Sequence, residues 1–97
     1  MYKIIRPRGG GKTTTVMDMA MMDKNIIIVC MNPKLYENLA RERGFNPTKL
    51  RFISFNDFIN LKGYGPENKY IIDEIDAFVQ YMAQEKQVIA YTLSRDD

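Results

Sequence analysis

Histidine is absent from this 97-residue chain, and cysteine occurs once, at Cys30. Without histidine there can be no Ser/His/Asp triad, no Cys/His catalytic pair and no zinc site with a histidine ligand. A single cysteine excludes an internal disulfide, and its place in the apolar run IIIVC favours a buried, unreactive thiol. Several common classes of hydrolase and metalloprotein are therefore excluded.

Long apolar segments are also missing. No apolar run approaches the roughly 18 to 20 residues that a membrane-spanning helix needs, and the start MYKIIRPRGG lacks the apolar core of a secretory signal. We therefore expect a cytoplasmic protein that does not act at a membrane. The length allows one domain, 1–97, and the share of hydrophobic residues, 45%, is ordinary for a globular protein.

Charge is unevenly distributed along the chain. Residues 1–51 hold ten Lys and Arg against four Asp and Glu, whereas residues 52–97 hold four against eight. Positive charge in the first half would favour nucleotide phosphates or nucleic acid. A solvated basic face is the simpler explanation of any excess beyond a phosphate site.

The basic half contains the string RPRGGGKT at residues 6–13. It matches the GxxxxGKT phosphate-binding loop except at its first position, where Arg6 replaces glycine. Glycines let the backbone wrap an anionic oxygen with successive N–H groups pointing inward. Lys12 would then reach the outer phosphates, the Thr13 hydroxyl would ligate Mg²⁺, and Arg8 would add charge to the loop. The alternative is a glycine-rich turn that binds no ligand.

Apolar runs and turn residues predict strands that alternate with helices. Strands are expected at 2–6, 26–30, 50–54, 69–73 and 87–94, and helices at 12–22, from the cap Asn32 to Gly44, from the cap Ser54 to near Gly63, and at 75–84. This alternation predicts an α/β fold with a mainly parallel five-stranded sheet and helices on both faces. Ligands bind such sheets in a crevice at the carboxyl ends of the strands.

Two adjacent carboxylates, Asp73 and Glu74, follow the fourth predicted strand. Carboxylates at that point of an α/β sheet lie beside the phosphate loop. Asp73 would hold Mg²⁺, directly or through a water, and Glu74 would activate the water that attacks the γ-phosphate. The alternative is that one carboxylate caps the following helix, a role for which Asp76 is better placed.

The last predicted strand ends in polar residues, Thr92, Ser94 and Arg95. If that strand lies between the loop strand and the strand before Asp73, a hydroxyl at its end would sense the γ-phosphate. Arg95 would stabilise charge on the leaving phosphate, in its own site or in a neighbour's. The alternative is a polar segment without such a role.

Together, RPRGGGKTT, KYIIDEID and the segment ending in TLS resemble the Walker A, Walker B and sensor motifs of P-loop ATPases that carry an extra catalytic glutamate. The resemblance is greatest to the ATPase lobes of phage terminase large subunits and of superfamily 1 and 2 helicases. It implies a minimal RecA-like domain that binds ATP and Mg²⁺ and hydrolyses ATP. By position, it assigns phosphate contacts to the loop residues Gly9, Gly10, Gly11, Lys12, Thr13 and Thr14. It assigns metal binding to Asp73 beside Thr13, activation of the attacking water to Glu74, and phosphate sensing to Thr92 or Ser94. Together with Lys12, we also expect Arg95 to act in catalysis and Arg8 to contact the nucleotide, although the resemblance does not assign these two arginines.

The resemblance also implies partners, because the second lobe of a helicase and the nuclease domain of a terminase are missing from this sequence. DNA, a phage or host protein, or a second copy of the chain would complete the activity. Two other functions stay open. One is a catalytically weak or inactive interaction protein, favoured by Arg6 in place of glycine. The other is a nucleotide or small-molecule kinase, for which no segment between Phe55 and Lys69 resembles an arginine-rich lid.

Overall fold

A computed structural model describes residues 11–61, 65, 67–84, 86–90 and 92. Along the chain the elements are α1 (Lys12–Met21), β1 (Ile26–Cys30), α2 (Pro33–Glu42), a 3₁₀ turn (Pro47–Lys49), β2 (Phe52–Ser54), α3 (Phe55–Ile59), β3 (Lys69–Ile72) and α4 (Ile75–Ala83). None of these described helices has the length and apolar character needed to cross a membrane.

The central element of the described structure is β1, which pairs in parallel with β2 on one side and β3 on the other. Ile28 of β1 lies opposite both Phe52 and Ile71. A strand with neighbours on both edges and helices on both faces is buried all round, which explains its continuous apolar sequence. Since the three strands are parallel, the residues that follow Cys30, Ser54 and Ile72 meet at one edge of the sheet.

Helices cover both faces of the sheet. On one face, Val16 and Met17 of α1 pack with Ile28 and with Ala40 of α2. On the other, Val29 packs with two aromatic rings, those of Phe55 from α3 and Phe78 from α4. Ile28 and Val29 are adjacent on β1 and so point to opposite faces. The two rings stack with centroids 5.1 Å apart.

Local capping sets the start of two helices, as the sequence predicts. The Asn32 side chain accepts a hydrogen bond from the Leu35 N–H at 3.2 Å, at the start of α2. The Ser54 hydroxyl accepts one from the Asp57 N–H at 3.1 Å and begins α3. However, α3 ends at Ile59, earlier than the predicted end near Gly63.

The predicted five-stranded sheet is wrong, because the described residues form a sheet of three parallel strands. The strand expected at 2–6 lies outside the described residues. Of the strand expected at 87–94, residues 87–90 and 92 are described, and they form no strand. The reason is a competing partner. Gln80 of α4 donates from Nε2 to the Lys86 carbonyl at 2.6 Å and accepts from the Val88 N–H at 3.1 Å. The Val88 N–H, which pairing in a sheet would use, is thereby bonded to a side chain of α4.

Candidate functional site

The start of α1 lies at the end of the glycine-rich loop. Gly11 is the N-cap residue, with φ 79° and no side-chain cap. A Cβ at this position would meet no atom within 4 Å, so the requirement for glycine is one of backbone conformation rather than space. No acidic residue occupies the first turn of α1. The first N–H groups of a helix have no acceptor within it, which makes this end favourable for an anion.

Thr13 and Asp73 are brought into contact although sixty residues separate them in sequence. The Thr13 hydroxyl donates a hydrogen bond from Oγ1 to Asp73 Oδ2 at 3.1 Å. Asp73 is only 3% exposed, and its N–H continues the pairing of β3 with β1 by donating to the Val29 carbonyl at 3.0 Å. The sheet therefore places this carboxylate, and α1 places the hydroxyl that meets it.

A second contact joins the same two segments. Lys12 Nζ lies 2.9 Å from Glu74 Oε1, and the two side chains are 28% and 39% exposed. The hydrogen bond that Lys12 donates to Glu74 raises the pKa of the Lys12 ammonium. The charges of Glu74 and Asp73 raise it further, and together these effects outweigh partial desolvation. Lys12 is therefore fully charged at neutral pH, and it faces the adjacent carboxylates.

The backbone at Glu74 is unusual. Asp73 and Glu74 alone connect β3 to α4, and Glu74 turns the chain with φ 60° and ψ 66°, in the left-handed region. It occupies the N-cap position of α4, yet its side chain makes no capping hydrogen bond. The Glu74 carboxylate points to Lys12 instead. This geometry does not support the alternative that Glu74 serves to cap α4.

Tyr36, which sequence reasoning missed, also contacts the site. Its hydroxyl donates to Asp73 Oδ2 at 2.8 Å. Burial, the hydrogen bond to Asp73 and its negative charge all raise the pKa of the Tyr36 phenol, so that it remains a donor. A tyrosine one turn into a helix carries no functional signal by itself. Its position beside Asp73 follows from the pairing of β1 with β3, which places the start of α2 next to the end of β3.

Arg43, also missed, lies at the C-cap of α2 and donates from Nη1 to the Thr14 hydroxyl at 3.0 Å. This contact lies at the surface, beside the first turn of α1, and does not involve Asp73. This contact places one more positive charge near the end of the loop. No sequence pattern links Arg43 to the loop, because the two are 29 positions apart.

The remaining predicted site residues are not brought into this cluster by the described structure. Thr92 is exposed and shares no hydrogen bond with Lys12, Thr13, Asp73 or Glu74. Five predicted residues lie outside the described residues, namely Arg8, Gly9, Gly10, Ser94 and Arg95. Among the described residues, the site therefore consists of Gly11, Lys12, Thr13, Asp73 and Glu74, with Tyr36 behind it.

The oxygens of Thr13 and Asp73 fit a magnesium ion. Both are hard oxygen ligands, and donation of the Thr13 proton to Asp73 leaves the hydroxyl lone pairs free. Within the part of the chain that the structure describes, no three acidic, histidine or cysteine side chains gather as a metal cluster. Mg²⁺ does not need such a cluster, since it often binds one or two protein oxygens together with water and substrate phosphates.

Comparisons with protein families, with curated proteins and with solved structures give no match for this chain. The function of the chain is therefore inferred from its residues and their geometry.

Proposed function

We propose that this chain binds ATP with Mg²⁺ between the start of α1 and the end of β3, and hydrolyses it to ADP and phosphate. The observation that supports the proposal is that two contacts join the start of α1 to the end of β3. Thr13 Oγ1 lies 3.1 Å from Asp73 Oδ2, and Lys12 Nζ lies 2.9 Å from Glu74 Oε1. The motif predicted to bind phosphate and the motif that supplies the carboxylates are thus adjacent in space, and each has a sequence typical of a P-loop nucleotide site.

Phosphate binding is supported by the charge around the start of α1. The helix begins with a glycine in the left-handed conformation, has no acidic residue in its first turn, and presents Lys12 there. A lysine at a helix N-terminus is unfavourable for the helix dipole, so an ordinary surface helix would gain from its replacement. A bound phosphate reverses this effect, because it interacts favourably with both the dipole and the ammonium group.

Hydrolysis is supported by the position of Glu74. A triphosphate at Lys12 would compete with Glu74 for the ammonium group and so release the carboxylate. Glu74 could then accept a proton at Oε1 from the attacking water, while Lys12 neutralises charge on the phosphate oxygens. Thr13 and Asp73 would hold Mg²⁺, whose charge favours binding and reaction of the phosphates.

Two substitutions with matched controls test the proposal. Lys12→Ala should abolish the rise in melting temperature that ATP with Mg²⁺ causes in the unchanged protein. Glu74→Gln should keep that rise and lower phosphate release at least a hundredfold, since it removes the proton acceptor. The controls are Lys34→Ala and Glu42→Gln, which change exposed side chains of α2. The Lys12–Glu74 pair is partly exposed and contributes at most about 1 kcal/mol, so neither variant should unfold.

Normal turnover in Glu74→Gln would contradict the role given to Glu74. Nucleotide binding that survives Lys12→Ala would contradict the role of the loop. Phosphate release should also be measured with and without DNA, because the resemblance to terminase and helicase lobes implies a nucleic-acid partner that accelerates turnover.

A second function is favoured by the ion pair itself. Because the charges of Lys12 and Glu74 pair with each other, this arrangement would also be stable in a protein that binds no nucleotide. The chain would then be an interaction protein without catalysis. Absence of both ATP binding and phosphate release, with or without DNA, would favour this alternative.

A further inference from the structure

Asp73 receives a second hydrogen bond from outside the two sequence motifs. Thr13 donates to Asp73 Oδ2 at 3.1 Å, and Tyr36 donates to the same oxygen at 2.8 Å. Two donors on one oxygen restrain the rotation of a carboxylate about its terminal bond more strongly than one donor does. With 3% of its surface exposed, Asp73 has little water to take over this role.

The aromatic ring of Tyr36 is itself held in place. It packs against the apolar cluster formed by α1, β1 and α2, and its centroid lies 6.1 Å from that of Phe52, with the ring planes tilted by 58°. Phe52 belongs to β2, on the far side of β1 from β3. A side chain packed at its ring and hydrogen-bonded at its hydroxyl is restrained in orientation, so Tyr36 is placed to support the Asp73 carboxylate.

We propose that Tyr36 is a positioning residue, which holds the Asp73 carboxylate in the orientation that binds Mg²⁺ together with the Thr13 hydroxyl. This inference rests on the proposed function, because the cation is the one that would accompany ATP. Partners of a metal ligand commonly change metal affinity by tenfold to a hundredfold when they are removed. Tyr36 makes no contact of its own with the ion in this scheme.

The test compares ATP affinity in Mg²⁺ with ATP affinity in EDTA, using the full chain and isothermal titration calorimetry. The ratio of the two dissociation constants measures how strongly the cation and the nucleotide increase each other's binding affinity. Tyr36→Phe, which keeps the ring and removes the hydroxyl, should reduce this ratio at least tenfold. Its affinity for ATP in EDTA should stay within about twofold of the unchanged protein, because Lys12 and the loop are untouched.

The matched control is Tyr81→Phe. Its hydroxyl donates to Asn56 Oδ1 at 3.1 Å, away from Asp73, so the same loss of one tyrosine hydrogen bond should leave the ratio unchanged. If Tyr36→Phe fails to fold by circular dichroism, Phe52→Leu takes its place. That variant keeps the hydroxyl but removes the ring that orients Tyr36, and it should reduce the ratio at least threefold.

The outcomes separate the two proposals. If Tyr36→Phe lowers the melting temperature but keeps the ratio of the unchanged protein, Tyr36 has a structural role and the inference is wrong. An unchanged ratio in Phe52→Leu would contradict it in the same way. If the unchanged protein binds ATP equally in Mg²⁺ and EDTA, the cation site is absent and the inference is also wrong. If it binds no ATP under either condition, the proposed function fails, and the inference fails with it.

Discussion

Glu74 adopts a left-handed backbone conformation, which glycine would adopt without strain. Among the described non-glycine residues, Glu74 and Gln84 have positive φ. This conformation costs an L-residue roughly 1–2 kcal/mol. The ion pair with Lys12 is 39% exposed on the glutamate side and offsets at most part of this cost. Retention of a strained carboxylate is typical of residues that serve a function rather than stability.

We predict that Glu74→Gly is more stable than Glu74→Ala by about 1 kcal/mol, because both lose the carboxylate and only glycine relaxes the backbone. Urea denaturation measures the difference. The control pair is Glu37→Gly and Glu37→Ala, within α2, where the order should reverse because glycine weakens a regular helix. Equal stabilities of the two Glu74 variants would mean that the conformation carries no strain.

The segment 86–90 is held to α4 by a side chain instead of joining the sheet. After α4 the chain turns back, so that Val88, Ile89 and Ala90 line a cavity of about 280 Å³ with Asp76 and Gln80. Ile89 remains 90% exposed. Apart from the bond that the Lys86 N–H donates to the Ala83 carbonyl at 3.2 Å, the attachment in the described structure depends on the two hydrogen bonds of Gln80, since little apolar surface is buried here.

Gln80→Ala should therefore release this segment without unfolding the rest of the protein. Loss of two exposed hydrogen bonds, together worth about 1–2 kcal/mol, should increase local opening roughly five- to thirtyfold. Limited trypsin digestion followed by mass spectrometry measures cleavage after Lys86. Cleavage after Lys24, at the other end of the sheet, provides the internal control and should not change. Equal cleavage after Lys86 in both proteins would show that Gln80 does not hold the segment.

The molecule as a whole is organised around β1, and Cys30 ends that strand with 0% exposure. Its thiol lies 3.8 Å from the Ile53 carbonyl oxygen of β2. Burial, with a smaller effect from the negative charge of Asp73, raises the pKa of the Cys30 thiol from 9.0 to about 12. Reaction at this sulfur therefore requires opening of the sheet at its centre.

We predict that a disulfide reagent labels the folded protein at pH 8 at least a thousandfold more slowly than the unfolded chain. The shift in pKa accounts for roughly a thousandfold by itself, and steric protection adds to it. The labelling rate should follow global unfolding as urea is added. Rapid labelling without urea would show that the sheet opens locally beside the site.

The same thiol makes a contribution to stability that depends on pH. The folded state holds the thiol proton more tightly than the unfolded chain, because the pKa of Cys30 is higher in the folded state. The contribution of this thiol to the free energy of unfolding is therefore complete below about pH 9 and is lost as the pH rises toward 12. Cys30→Val should lose less stability than the unchanged protein over that interval.

Local features of the chain could be predicted from sequence because they depend on near neighbours. The run IIIVC became β1, and Asn32 and Ser54 cap the helices that follow them. Lys12 and Thr13 begin the expected helix α1, and Asp73 and Glu74 follow β3. Propensity and capping act over a few residues, so a linear pattern contains the information that they need.

Tertiary structure alone decided which distant groups meet. Pairing of β1 with both β2 and β3 placed Tyr36 beside Asp73, and Glu74 is left-handed in the two-residue connection from β3 to α4. The segment 87–90 has the composition of a strand, yet Gln80 accepts from its Val88 N–H and donates to the carbonyl of the preceding Lys86. Such outcomes depend on competition between partners far apart in sequence, and composition and periodicity do not record that competition.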